Sequence, residues 1–356
     1  MNITNRVTKL RQALSEKDLD GVFISQPENR YYLSGFGGSA GFLLITPKET
    51  ILATDFRYVE QVKVQAPDYR LFQIAGPLAD WFPKLIDGLN LKRLGFEGGD
   101  VTFALYKQLS DTLSKSQSLL QLIPTDGLVE IIRAIKEPEE IEFIIRAVEI
   151  TDKAFAHIEG FIVPGMTELQ VAWELEKFQR EHGSQSMPFD IIIASGPEAA
   201  LPHHKASERK INAGEPIVID MGAKVAGYAS DFSRTLCLGK PDATFKKVYD
   251  TVLGAQLAAI ALIKDGVSGG EADGFARTVI SEAGYGDKFG HALGHGVGLA
   301  EHELPRLGPN SPGLLTSGMV FSIEPGIYLP GWGGVRIEDL GVIENGNLRI
   351  LSKGRK

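Results

Sequence analysis

The chain carries a single cysteine, Cys237, among 356 residues. That excludes an intramolecular disulfide framework and any cluster of thiolate metal ligands, both of which need several cysteines. Long apolar runs are missing too. The longest, around residues 253–263, is interrupted by Gln256 and falls far short of the ~20 residues that span a bilayer. The opening MNITNRVTKLRQAL is polar and amphipathic, without the apolar centre of a secretory signal, so the expected setting is the cytoplasm. Basic residues are in the minority, 37 against 45 acidic, for a net charge of −8. With no excess of positive charge to neutralise phosphates or anionic lipid, neither nucleic acid nor a membrane is an expected partner.

What is present is a globular composition, 43% apolar and 23% charged, long enough for about two domains. Residues 1–123 alternate helical and strand patterns and read as a small α/β domain. An amphipathic helix is expected over 7–19, a strand over 21–25, a hairpin from 41–46 and 50–54, and another strand over 93–96. Nothing in this region clusters catalytic side chains at metal spacing. Glu137-Pro138-Glu139-Glu140 then starts a long helix, whose Ile141, Ile144, Ile145, Val148, Phe155 and Ile158 keep a period of 3.6. The domain boundary is expected near residue 124, leaving 124–356 as the second domain.

The second domain contains an internal duplication. IVPGMTELQVAWELEKFQREHG (162–183) aligns with IKDGVSGGEADGFARTVISEAG (263–284). Thr167 with Gln170, and Ser268 with Glu271, read as capping boxes, and Gly183 and Gly284 as helix stops. Each copy follows a long helix, about 138–160 and 242–264. Each precedes a strand ending in a carboxylate: Asp220 in the first half, Glu324 in the second.

The carboxylates carry the chemistry. A turn at 223–226 would fold the strands of Asp220 and Asp231 together and place both side chains on one face. Glu324 and Glu338 repeat the layout, with His291, His295 and His302 between the pairs. Related halves facing each other would gather four negative charges, for which divalent cations are the natural counter-charge. Four carboxylates and one imidazole make an oxygen-rich site for two metals ~3.5–4 Å apart. That donor set suits Mn²⁺, with Co²⁺ or Zn²⁺ as alternatives. The glycines at 294, 296 and 298 differ from a dinucleotide fingerprint, and they also argue against reading His291 and His295 as a helical zinc pair. His157 and His182 read as ordinary helix residues and Cys237 as a packed thiol; His204 is left out of the site.

The order Asp220, Asp231, His295, Glu324, Glu338 resembles the ligand set of the pita-bread metallopeptidases, which include methionine aminopeptidase, aminopeptidase P and prolidase. IDMGAKVAGYASDFSRT, GHALGHGVGLAEHELPR, VFSIEPGIY and GGVRIED are similar to that family's blocks. The N-terminal YLSGFGGSAG and TDFRY resemble the non-catalytic domain of aminopeptidase P and prolidase, which disfavours the shorter methionine aminopeptidase. Two departures stand out: Ser233 where Thr is usual, and Leu340 where a second acid is common. Neither is expected to touch a ligand.

The resemblance implies an α/β protein with a pseudo-twofold pita-bread catalytic domain that hydrolyses Xaa-Pro bonds with two bound metals. Asp220, Asp231, His295, Glu324 and Glu338 would be the ligands, and Glu324 also the proton acceptor. His302 and His203 would donate hydrogen bonds to the developing oxyanion. His291 would shape the pocket, Arg336 would orient a carboxylate behind the ligands, and Arg306 would pair with the free carboxylate of a dipeptide. A homodimer is implied as well, with a peptide carrying proline in second place as substrate. The alternatives are a metal-free creatinase-like hydrolase and a peptide-binding module of the same fold without catalysis; intact ligands argue against both.

Overall fold

The computed structural model describes residues 2–356 and divides between Arg133 and Ala134 into two compact units. In the first, α1 (Ile3–Glu16) leads into β1 (Gly21–Ile24) and α2 (Pro27–Ser34). β2 (Phe42–Ile45) and β3 (Thr50–Thr54) form the expected hairpin. α3 (Val59–Gln65), β4 (Arg70–Gln73) and α4 (Leu78–Ile86) follow. β5 (Arg93–Glu97), α5 (Phe103–Lys115), β6 (Gln121–Thr125) and α6 (Glu130–Ala134) complete the series. The first helix begins earlier than its apolar period suggests, because Asn2 caps it by accepting the Asn5 N–H at 3.1 Å, and it ends at Glu16. The six strands form one sheet in the order β4-β3-β2-β1-β5-β6. Phe23, Leu44, Trp81, Phe82 and Phe96 are among the residues of its core.

The expected boundary at residue 124 falls inside β6, an edge strand of this sheet. The unit extends to 133 because Arg133 donates to Asn29 Oδ1 at 2.7 Å, a buried contact that ties α6 to α2.

The second unit opens with α7 (Pro138–Phe161), closed at its start by a Glu137–Glu140 capping box, and α8 (Glu168–Glu181). β7 (Ile192–Ser195) and β8 (Pro216–Met221) come next. A two-stranded ribbon, β9 (Lys224–Val225) and β10 (Tyr228–Ala229), leads to β11 (Phe232–Cys237). The second half repeats the plan with α9 (Ala243–Leu262), α10 (Gly269–Glu282), β12 (Gly294–Gly296), β13 (Glu303–Leu307) and β14 (Val320–Ile323). β15 (Gly326–Leu329), β16 (Gly333–Arg336), β17 (Asp339–Glu344) and β18 (Asn347–Ile350) end it.

The duplication extends to hydrogen bonds. Both capping boxes form, and Gly165 N–H donates to Ile211 O as Gly266 N–H does to Leu315 O, each at 2.8 Å. Each half has its own core: Phe155, Leu175, Ile217 and Ile219 in the first, Val252, Ile280, Phe321 and Ile323 in the second. The sheets run β11-β8-β7 and β13-β12-β14-β17-β18.

The turn expected at 223–226 lies elsewhere. Ala226 and Gly227, with φ of 50° and 82°, make the reversal, and the β9–β10 ribbon separates β8 from β11. Two consecutive positive φ values are the mark of a tight two-residue hairpin, which the strand pattern alone does not locate.

Candidate metal centre

Alternation along β8 sends Ile217, Ile219 and Met221 into the core of the first half and leaves Asp220 on the opposite face. Asp231 immediately precedes β11, whose Ser233 stands opposite Asp220. Glu338 lies between β16 and β17, and Glu324 just after β14. Asp220, Asp231 and Glu338 each bring one carboxylate oxygen within 4.8 Å of the others. His295 Nε2 lies 3.3 Å from Glu324 Oε1 and 3.7 Å from Asp231 Oδ2. The five residues proposed from spacing therefore meet in one place.

His295 sits on a strand squeezed between two others. A Cβ on Gly294 would collide with Ser322 O, and one on Gly296 with Leu304 O. The glycines serve close strand approach rather than a phosphate loop.

The electrostatics are those of an anionic cluster short of positive charge. Burial raises the Asp231 carboxyl well above its ordinary value, and Glu338, Asp220 and Glu324 add to the rise. Glu338 is raised well up by burial and then by Glu324 and Asp220; Asp220 is raised by burial against the pull of Arg336. For Glu324 burial is outweighed by the hydrogen bond and charge of His295, which bring it down to about 2. Asp220 Oδ1 and Glu338 Oε1 are buried with no hydrogen-bond partner. Unpartnered carboxylate oxygens beside other carboxylates are costly, and divalent cations remove that cost. The donor set fits such ions.

Two expectations need correction. Arg336 does not act on a carboxylate behind the ligands: its Nη2 donates to Asp220 Oδ2 itself at 2.7 Å. Its Nε donates to Ser233 Oγ at 2.9 Å and its Nη1 lies 3.0 Å from Tyr328 Oη. Ser233, expected to touch no ligand, donates to Glu338 Oε2 at 2.8 Å. Both arise because β16 comes against β8 and β11 from sequence positions about a hundred residues apart.

The histidines surround this cluster unequally. The His302 ring is tilted by 42° against that of His295 with ring centroids 3.9 Å apart, and its Nδ1 lies 3.2 Å from Glu301 Oε1. Burial and then His295 lower its pKa. His203 is exposed on a turn, close enough for its charge to act on both His302 and Glu301. His291 Nε2 is 2.9 Å from Tyr328 Oη, and burial lowers its pKa. Arg306 is exposed and stands opposite His295 in the β12–β13 pairing, which puts the two side chains on one face.

Two residues of the neighbourhood were missed, and one farther off. Tyr328, in β15, joins His291 to Arg336. Glu301 adds a carboxylate beside His302 that its loop position did not reveal. Glu168, buried at the start of α8, accepts from Ser195, Ser207 and His204 Nε2, the last at 2.8 Å, which gives His204 a structural role.

Comparison with known proteins agrees with this arrangement. Residues 142–345 match Metallopeptidase family M24, and residues 6–135 match the Creatinase/Prolidase N-terminal domain. A Xaa-Pro dipeptidase of Pyrococcus furiosus is 37% identical, with 99% of each chain covered. The solved structure of a Xaa-Pro dipeptidase from Bacillus anthracis is 42% identical with a TM-score of 0.95, covering 100% of this chain and 99% of that one. That of an X-Pro aminopeptidase from Thermotoga maritima is 36% identical with a TM-score of 0.86, covering 97% of this chain and 98% of that one. With its carboxylates gathered in the region matched by the catalytic domain and the second match ahead of it, the chain belongs to metallopeptidase family M24.

Proposed function

We propose that this protein is a metal-dependent hydrolase of N-terminal Xaa-Pro peptide bonds. The observation that carries the reading is the pair of buried, unpartnered oxygens, Asp220 Oδ1 and Glu338 Oε1, in a cluster of like charges. Relatives named as Xaa-Pro dipeptidases and an X-Pro aminopeptidase supply the substrate class.

Asp220, Asp231, His295, Glu324 and Glu338 would hold two divalent cations. Bound there, such ions supply Lewis acidity to polarise the scissile carbonyl and bring the ionisation of water toward neutral pH. Glu324, kept ionised by His295, accepts the proton of the attacking water and hands it to the leaving imino nitrogen. His302 and His203 donate hydrogen bonds to the developing oxyanion. Arg336 holds Asp220 in place, and Ser233 holds Glu338. His291 and Tyr328 wall the pocket. Proline in the substrate has no amide N–H, so the wall facing it needs no acceptor.

Manganese as the cation, a homodimer and a cytoplasmic setting are the finer parts of the proposal. An oxygen-rich donor set supports the first. Among the described residues no helix is long and apolar enough to cross a membrane.

The test combines metal analysis with a peptide panel. Metal-stripped protein should be inactive, regain activity with Mn²⁺, and cleave Xaa-Pro and Xaa-Pro-Xaa peptides but not matched Xaa-Ala ones. Full activity in protein shown to be metal-free by elemental analysis would overturn the reading and favour the creatinase-like alternative.

A further inference from the structure

Gln256 interrupts the most apolar stretch of the chain, and its position in α9 is fully buried. Its neighbours on the buried face of that helix, Val248, Val252, Ala255 and Ala259, are all apolar. Its Nε2 lies 3.1 Å from Ile323 O, 3.2 Å from Ile337 O and 3.3 Å from Asp339 Oδ2, so its two N–H bonds are shared among three acceptors. The Oε1 on the other side of the amide is buried without a partner. Turning the amide over would set that oxygen against three others, so the donor side must face the strands. An apolar side chain of similar size would fill the space but would take the amide donor away from Ile323 O and Ile337 O.

The two backbone acceptors are telling. Ile323 and Ile337 immediately precede Glu324 and Glu338, and β14–β17 pairing sets Ile323 opposite Asp339. One amide thus ties together the backbone just ahead of both glutamates. Both glutamates belong to one cluster: Glu338 lies with Asp220 and Asp231, and Glu324 Oε1 lies 3.3 Å from His295 Nε2. The β14–β17 ladder pairs Ile323 with Asp339, and the amide adds a second tie that reaches Ile337 as well.

We propose that Gln256 is a positioning residue for the cation site, holding the Glu324 and Glu338 carboxylates at the separation that two divalent ions require. The proposal rests on the reading of those two glutamates as ligands. No direct contact with an ion is involved; the effect passes through the backbone at residues 323 and 337.

The experiment is calorimetric titration of the metal-stripped, full-length protein with Mn²⁺, alongside urea unfolding. Wild-type protein should bind the ion and Glu338→Gln should lose a site. If the wild type takes up no Mn²⁺, it is the ligand reading that fails. Given wild-type binding, Gln256→Met should bind about 10–100-fold more weakly, the scale for groups that orient ligands. Its activity should return at saturating Mn²⁺. Gln256→Asn keeps an amide but withdraws it by one methylene, and its affinity should fall as well. Val252→Ala, a cavity on the same helix face, should unfold more easily while binding Mn²⁺ normally. Wild-type affinity in either folded Gln256 variant, or an equal loss of affinity in Val252→Ala, overturns the proposal.

Discussion

Arg336 Nη2 lies 2.7 Å from Asp220 Oδ2, on the side of the carboxylate opposite the oxygen that has no partner. One oxygen is thereby committed to the protein, and the other would be the one to meet an ion under the proposed function. The side chains are 4% and 13% exposed, so the pair is shielded from solvent. Breaking such a buried pair by removing one partner costs ~3–5 kcal/mol. Arg336→Met should lose stability on that scale by urea unfolding, and Arg336→Lys should recover only part, lacking the forked donor. A loss below ~1 kcal/mol would mean that the pair behaves like a surface one.

Ser233 is the second anchor. Ser233→Ala removes the donor to Glu338 Oε2 and should weaken Mn²⁺ binding by ~10–100-fold, while Ser233→Thr, which keeps a hydroxyl, should bind as the wild type does. Calorimetry on the two variants decides; equal affinities would show that the hydroxyl is dispensable.

The histidines separate by kinetics. His302→Ala and His203→Ala should each lower kcat by ~10²–10³ with little change in KM, the signature of an interaction made in the transition state. Metal content is measured in parallel. A variant that fails to retain metal would mark its histidine as a ligand instead.

Arg306 tests substrate length. Exposed and on the face of His295, it is placed to pair with the free carboxylate of a Xaa-Pro dipeptide. Arg306→Ala should lose ~10–100-fold in kcat/KM on dipeptides, equivalent to ~1.5–3 kcal/mol. A third residue moves that carboxylate outward by ~3.3–3.6 Å, so matched Xaa-Pro-Xaa peptides should be largely spared. Equal losses on both lengths would rule out carboxylate reading.

Glu168 sets a pH dependence. Burial pushes its carboxyl up, but hydrogen bonds from His204, Ser195 and Ser207 outweigh it and bring the value below the usual 4.5. The unfolded chain then binds more protons between the two values. This contribution is therefore fully present above 4.5 and is lost as pH falls through the folded value. Glu168→Gln should destabilise the protein by ~1–3 kcal/mol at pH 7, with the gap from wild type narrowing in acid. Unfolding at pH 7 and pH 4 measures it; a constant gap would show that the charge of Glu168 is not what stabilises.

Much of this protein is determined by its sequence read locally. Capping boxes at Thr167–Gln170 and Ser268–Glu271 mark their helices because the side chain and the amide it caps are three residues apart. The duplication is legible for the same reason, and so is the candidate ligand set, since Asp220, Asp231, His295, Glu324 and Glu338 all lie in or beside short strands. What holds those ligands was decided only by the tertiary structure. Ser233 and Glu338 are 105 positions apart, Arg336 and Asp220 116, and Gln256 and Ile337 81. Residue types alone gave Ser233 no role and Gln256 none beyond breaking an apolar run. Periodicity records which way a side chain faces from its own element, whereas a hydrogen bond needs donor and acceptor within ~3 Å, a distance set here by how separate strands and helices pack.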